Sequence, residues 1–162
     1  MRRTLALSLA LSLSLGLLSG CGPAAPAVQA QELTAQPVSV QPAGSPAVDQ
    51  ALTSFGLSLL QSAREAESGP VLLSPLSAAL ALSMAANGAD GDTLAQFETV
   101  LGGGVTLDEL NAACAQLLSD YGDLDGSTEC LIANSLWTDP EGMIREDFIG
   151  KCQGIFDAQV FS

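Results

Sequence analysis

Apolar residues recur along this chain at intervals of three and four, with sharp breaks between runs, which predicts a succession of helices joined by short turns. Ser45-Pro46 places a capping hydroxyl before a proline at the first helical position. Val48, Leu52, Phe55, Leu59 and Ala63 then make one stripe, Arg64, Glu65 and Glu67 mark its wet end, and Ser68-Gly69-Pro70 stops it. The apolar run Val71–Leu73 reads as a short buried strand. Ser74-Pro75 opens a second helix in which Leu76, Ala78, Ala79, Leu80, Ala81, Leu82, Met84, Ala85 and Ala86 put apolar groups on every face, and Asn87-Gly88 ends it. A helix apolar all round is enclosed by other elements, so this one is expected to be the buried axis of the domain.

Beyond a turn at Gly88–Gly91, Asp92 is the expected cap of a third helix carrying Leu94, Phe97, Val100 and Leu101 on one side, and Gly102-Gly103-Gly104 ends it. Thr106 with Glu109 is a capping box ahead of the stripe Leu107, Leu110, Cys114, Leu117 and Leu118. An acidic connector with Asp120, Asp123, Asp125 and Glu129 leads to Leu131–Thr138, a strand with apolar residues on both faces and therefore expected inside a covered sheet. Asp139-Pro140-Glu141-Gly142 is a turn, Ile144, Phe148, Cys152 and Ile155 form another helical face, and Phe156–Phe161 alternates like a strand.

Several of these residues, in order, carry a resemblance. Leu72-Leu73-Ser74-Pro75-Leu76-Ser77, the Ala/Leu helix, Asn87-Gly88-Ala89-Asp90-Gly91-Asp92-Thr93 and Phe97–Leu101 resemble the serpins, protease inhibitors that trap their targets by a conformational change. The helix bearing Phe55 is similar to the family's opening helix. The run Leu131–Trp137 is similar to a strand of its large central sheet, with Asn134 and Trp137 at the polar and aromatic positions. Pro70 departs from the pattern: serpins usually carry an Asn there, four residues before the Ser-Pro pair, and its contact is not carried over.

The resemblance covers residues 47–162 and implies an α+β, serpin-like fold, a helix-rich N-terminal part whose strands belong to a large central sheet, in an incomplete domain. It implies that Ser74, Pro75 and Ser77 head the helix over which the sheet slides open, and that Asn87, Gly88, Thr93 and Asn134 are framework positions. From the residues themselves, Ser74 is equally a helix cap, Ser77 a satisfied helical hydroxyl and Gly88 a stop. By the family's logic a serine protease, in some cases a cysteine protease, cleaves a bait loop, and the loop then inserts into the sheet as a new strand and distorts the enzyme. The chemistry is the protease's, so no catalytic residue, cofactor or metal is expected in this chain. The bait loop lies near the family's C-terminus. The chain is therefore read as a partial one, inhibiting nothing by itself and poorly stable as residues 47–162 alone.

Charge and composition narrow the partners. The 162 residues include 18 acidic and 5 basic side chains and no His, a formal net charge of −13, and one compact domain at most is expected. Nucleic acid demands a basic surface and is excluded as a partner, and His-based catalysis is removed outright. Residues 1–20 read as a targeting segment, with Arg2-Arg3 before the apolar run Leu5–Leu18. Leu18-Ser19-Gly20-Cys21 resembles the bacterial lipoprotein cleavage box, which implies a lipidated Cys21, a membrane partner through that lipid, and an exported chain held at the outer face of the bacterial cell membrane or extracellular. The alternative is an ordinary secretory signal with an incidental Cys21. Losing residues 1–20 removes two of the five basic groups and no acidic one, so the mature charge is 3 minus 18, or −15.

Residues 22–46, rich in Pro, Ala, Gln, Ser and Val, are expected to be a disordered tether following the lipidated Cys21. Cys114, Cys130 and Cys152 are odd in number and show no Cys-x-x-Cys spacing, so buried thiols are favoured over a single Cys114–Cys130 or Cys130–Cys152 bridge. The glycine run lacks the Lys-Ser or Lys-Thr of a phosphate loop, and the acidic connector would put Tyr121 and Ile132 at the first and twelfth positions of a calcium loop. Two other classes remain as rivals. An extracytoplasmic solute-binding lipoprotein would show repeated strand-helix units, and an exported enzyme without His would rest on paired carboxylates. Within the family, a non-inhibitory serpin or a degraded gene fragment is the alternative.

Overall fold

Ser45 takes extended backbone (φ −133°, ψ 111°), its Oγ accepts the Val48 N–H, and Pro46 follows it, so helix α1 runs over Pro46–Ala66. In this computed structural model, which describes residues 30–162, four more helices follow: α2 (Pro75–Ala86), α3 (Gly91–Gly102), α4 (Leu107–Gly122) and α5 (Glu146–Phe156). Cys21 and the targeting segment lie outside the described residues. The cap of α3 is Asp90, whose carboxylate accepts the Gly91 N–H at 2.7 Å; Asp92, the expected cap, falls in the first turn. Either carboxylate suits a helix start, and the extended conformation of Asp90 (φ −145°, ψ 165°) decides between them. The capping box of α4 forms as the spacing predicts, with Glu109 N–H donating to Thr106 Oγ1 and Thr106 N–H to Glu109 Oε2 at 3.0 Å.

Helices α1, α2 and α3 pack against one another, and α4 and α5 close the other side of α2. Val48, Leu80, Met84, Leu101, Leu110, Cys114, Ile149, Cys152, Ile155 and Phe156 form the core between them; all but Ile149 and Phe156 lie on the predicted helices' apolar positions. A three-stranded sheet lies against α5, with β1 (Glu32–Leu33), β2 (Asn134–Trp137) and β3 (Ala158–Phe161) in the order β1-β3-β2. Strands β2 and β3 are parallel, with Leu136 opposite Val160, and α5 is the crossover between them; β1 pairs antiparallel, with Leu33 opposite Val160. Ala158, Val160 and Leu136 face the core, whereas Ser135 and Trp137 face out, the indole stacked on Phe161 with centroids 4.6 Å apart.

Three expectations are corrected. Val71–Leu73 forms no strand, and Leu72 is fully exposed. The strand expected over Leu131–Thr138 spans Asn134–Trp137 and is covered on one face; Leu131 is 84% and Trp137 65% exposed. The tether expected over residues 22–46 is pinned to the domain from Gln31 onward. There β1 adds to the sheet, Val38 N–H donates to Gly150 O and Ala43 N–H to Ala112 O, and Leu33, Ala35 and Val40 pack on the core. Sparse apolar residues suffice for an extended segment when an existing sheet edge and helix groove supply the backbone partners.

Candidate functional site

Most of the expected framework positions lie at the two ends of α2. At its start Ser74 is extended (φ −111°, ψ 101°), its Oγ accepts the Ser77 N–H at 3.3 Å, and the two hydroxyls lie 3.0 Å apart, so the serines form one capping unit. Pro75 fills the first helical position and lies against Gly56 of α1, where a Cβ would sit 2.9 Å from the Pro75 Cβ. Only a glycine lets the two helices approach this closely.

The other end of α2 is closed by a side chain. Asn87 has right-handed backbone (φ −68°, ψ −15°), and its Nδ2 donates to Ser83 O at 2.9 Å, satisfying a carbonyl that the helix end leaves orphaned. That same Nδ2 donates to Asn111 Oδ1 at 2.8 Å, and Asn111 Nδ2 donates back to Asn87 Oδ1 at 2.9 Å. The two amides thus form a buried reciprocal pair joining α2 to α4. Gly88 does not adopt the left-handed conformation of a glycine stop; a Cβ there would meet the Phe148 ring at 3.2 Å. Its role is to make room for α5 rather than to turn the chain.

The remaining expected positions lie elsewhere. Thr93 is exposed in the first turn of α3, where with Leu82, Phe97 and Leu101 it borders an open cavity of roughly 240 Å³. Asn134 Nδ2 donates to Phe156 O at 2.8 Å, tying β2 to the end of α5. Ser74 and Asn87 stand at opposite ends of a twelve-residue helix, about 18 Å apart at 1.5 Å per residue. Ser74, Pro75, Asn87, Gly88 and Asn134 thus join one element to the next, and together with Thr93 they do not converge on one point.

The expectation of a fully enclosed α2 is corrected in an informative way. Ala79, Leu80, Ser83, Met84 and Ala86 are buried, but Ala81, Leu82 and Ala85 are exposed. An apolar helix thus presents an open apolar side. On the buried side Ser83 sits beside Cys114, whose thiol burial pushes up and the Ser83 hydroxyl partly lowers; burial alone pushes the Cys152 thiol up to about 11. Cys114, Cys130 and Cys152 are all free. In the acidic connector the Asp125 carboxylate accepts from both the N–H and the hydroxyl of Ser127, which hold it below the usual carboxylate range. Reading the sequence missed Asn111 and Gly56. The signals were a polar residue inside the α4 stripe and a glycine inside that of α1.

The profile of the family described as "Serpin (serine protease inhibitor)" matches residues 50–162. The chain belongs to the serpin family. The plasma serine protease inhibitor of Bos taurus is 32% identical over 94 residues, which are 56% of this chain and 23% of the bovine protein. The thermophilic serpin Tengpin is similar in its native state (TM-score 0.67, 30% identity, 83% of this chain and 35% of Tengpin) and in its latent state (TM-score 0.67, 29% identity, 76% and 33%). A loop C-sheet serpin polymer gives a TM-score of 0.65 at 29% identity, covering 80% of this chain and 34% of that one. The chain spans between about a quarter and a third of the length of these serpins. Five helices and a short three-stranded sheet make this a helix-rich part of the serpin fold, and α2 and β2 each keep an open face within it.

Proposed function

We propose that this chain is the N-terminal framework of a serpin-type inhibitor of serine proteases, and that it contributes the platform over which the inhibitor's sheet moves. The observation that carries this reading is α2, apolar on every face yet open along Ala81, Leu82 and Ala85, within a region that matches the serpins over residues 50–162. Its roles are structural. Ser74, Pro75 and Ser77 fix the head of the helix, Asn87 with Asn111 fixes its foot, and Asn134 sets β2 against α5. No group here is assigned to bond-breaking chemistry. In the complete inhibitor the attacked bond lies in a bait loop and the nucleophile belongs to the protease.

From the Leu18-Ser19-Gly20-Cys21 box we further propose an exported lipoprotein with the lipid on Cys21. Its net charge of −15 after removal of residues 1–20 repels anionic lipid heads, so attachment falls to the acyl chains. The test is to express the gene product in a bacterial host with a radiolabelled or clickable palmitate. Label on the wild type and none on Cys21→Ser is expected; equal labelling of both refutes the anchor. The envelope fraction is then incubated with trypsin-, chymotrypsin-, elastase- and subtilisin-type proteases. For an inhibitor that also carries the bait loop, a covalent, SDS-stable adduct with one of them is expected, and plain proteolysis by all of them opposes the inhibitory reading; residues 1–162 alone are expected to form none.

A further inference from the structure

Of the three asparagines in the chain, Asn87, Asn111 and Asn134, only Asn87 is followed by glycine. A residue without a side chain leaves its amide nitrogen open to the preceding carboxamide, which makes Asn-Gly the pairing most prone to deamidation. Once solvent hydroxide has taken its proton, the Gly88 nitrogen attacks Asn87 Cγ. A C–N bond forms, the Cγ–Nδ2 bond breaks, and ammonia departs with a proton from water. Water then opens the succinimide at either carbonyl, leaving aspartate or isoaspartate at position 87 with no change of oxidation state.

In the folded chain each participant in that reaction is engaged. Asn87 Nδ2 donates to Ser83 O at 2.9 Å and to Asn111 Oδ1 at 2.8 Å, and Asn87 Oδ1 accepts from Asn111 Nδ2 at 2.9 Å. Gly88 N–H donates to Ala85 O at 3.0 Å, so hydroxide reaches it only when a helix-end bond breaks. Ring closure also requires Asn87 to leave its right-handed conformation (φ −68°, ψ −15°), because the five-membered ring eclipses the peptide bond with the Cα–Cβ bond. The lock is thin, however. Asn87 is 9% exposed, whereas Gly88 beside it faces solvent.

The product does not fit the place it came from. A carboxylate at 87 still accepts from Asn111 Nδ2, but it faces Asn111 Oδ1 and Ser83 O with no proton to give either, and it holds a charge where little water reaches. Isoaspartate inserts a methylene into the backbone, which displaces the N–H groups that Ala85 O and Ala86 O accept from Gly88 and Ala89. Gly88 has no slack to absorb the shift, since a Cβ there would already meet the Phe148 ring at 3.2 Å. We propose that Asn87-Gly88 is a deamidation site held shut by the Asn87–Asn111 pair, and that it converts a transient opening at the foot of α2 into a permanent break between α2 and α4. The inference does not depend on inhibitory function, because it needs only this joint and water.

The experiment follows deamidation of the full chain in mildly alkaline buffer by mass spectrometry, with peptide mapping to separate aspartate from isoaspartate at position 87. The folded wild type should deamidate there at least about tenfold more slowly than the same chain in urea above its unfolding midpoint. In buffer without urea, Asn111→Ala should deamidate at least about tenfold faster than the wild type. Val160→Ala, which weakens the core from β3 and leaves the amide pair whole, should stay near the wild-type rate while circular dichroism shows it folded. Wild-type chain deamidated in urea, isolated on anion exchange by its added negative charge and returned to buffer, should unfold at a lower urea midpoint than untreated chain, and Asn87→Asp should match its aspartate fraction. Equal rates in the folded and unfolded chain, equal acceleration by Val160→Ala and Asn111→Ala, or a deamidated chain with the untreated midpoint would each overturn the proposal. Should Asn111→Ala fail to fold, the rates of the wild type with and without urea and the midpoint of its deamidated product still decide it.

Discussion

Replacing Asn111 by Ala tests the frame at the point where α2 is joined to α4. Asn111 is 3% exposed, and its amide makes both bonds of the reciprocal pair with Asn87, at 2.8 and 2.9 Å. In the variant, Asn87 Nδ2 keeps Ser83 O, but Asn87 Oδ1 loses its donor in a site from which water is largely excluded. Two neutral hydrogen bonds are worth about 1 kcal/mol each net, and an orphaned buried acceptor costs about 1–3 kcal/mol. The two figures overlap in part, so a loss of about 2–4 kcal/mol is expected. Urea unfolding followed by circular dichroism and Trp137 fluorescence reads it directly. With a slope of about 2 kcal/mol per molar urea, the midpoint should fall by about 1–2 M. The double variant Asn87→Ala/Asn111→Ala removes donor and acceptor together and should cost about 1–2 kcal/mol less than the sum of the singles. A loss below about 0.5 kcal/mol for Asn111→Ala, or strict additivity, would refute the argument, since either would mean the pair is not energetically coupled.

Three shorter predictions concern other parts of the frame. Gly56→Ala should lower stability by about 1 kcal/mol despite the helix propensity of Ala, because its Cβ would press on Pro75, while Gly69→Ala, with open space around it, should be near neutral; thermal melts of the pair check this. Thr106→Ala should cost about 1 kcal/mol through loss of the α4 cap, visible as a lowered melting midpoint. With burial raising the thiols of Cys114 and Cys152, the latter to about 11, both stay protonated in the folded chain at pH 8, so iodoacetamide should modify half-exposed Cys130 first, in a mass-mapped time course. For the same reason stability should fall as pH rises from about 9 towards 11, where the unfolded state ionises a thiol that the folded state keeps neutral.

The helices were legible because each is specified locally. Ser45-Pro46, Ser74-Pro75 and the Thr106–Glu109 box are start signals that act within one turn, and the stripes of α1, α4 and α5 supply part of the observed core, while Leu59, Ala63, Leu107 and Leu117 stay outside it. What was not legible depended on elements distant in sequence. Residues 31–43 look like a tether by composition, and only the glycines of α5, more than a hundred positions away, turn them into a docked segment. The cap of α3 was misplaced by two residues because Asp90 and Asp92 are chemically equivalent and differ in backbone conformation alone. Leu72, Leu131 and the outer side of α2 were expected to be covered because their pattern is that of covered residues, and in the described chain no element lies over them. The residues proposed as framework positions are legible in the sequence only as a likeness to the serpins. Their mechanics, above all the Asn87–Asn111 pair, came from geometry.

Whether this chain serves as a working serpin framework is decided by a chimaera. Residues 31–162 are joined in place of the matching third of Tengpin, and the product is incubated with the protease panel and examined by denaturing electrophoresis. A cooperatively folded chimaera that leaves a covalent, SDS-stable adduct with at least one serine protease is expected. A chimaera that folds cooperatively yet is cleaved as a simple substrate by every enzyme would contradict it, since the frame would then carry the serpin shape without permitting the sheet to move.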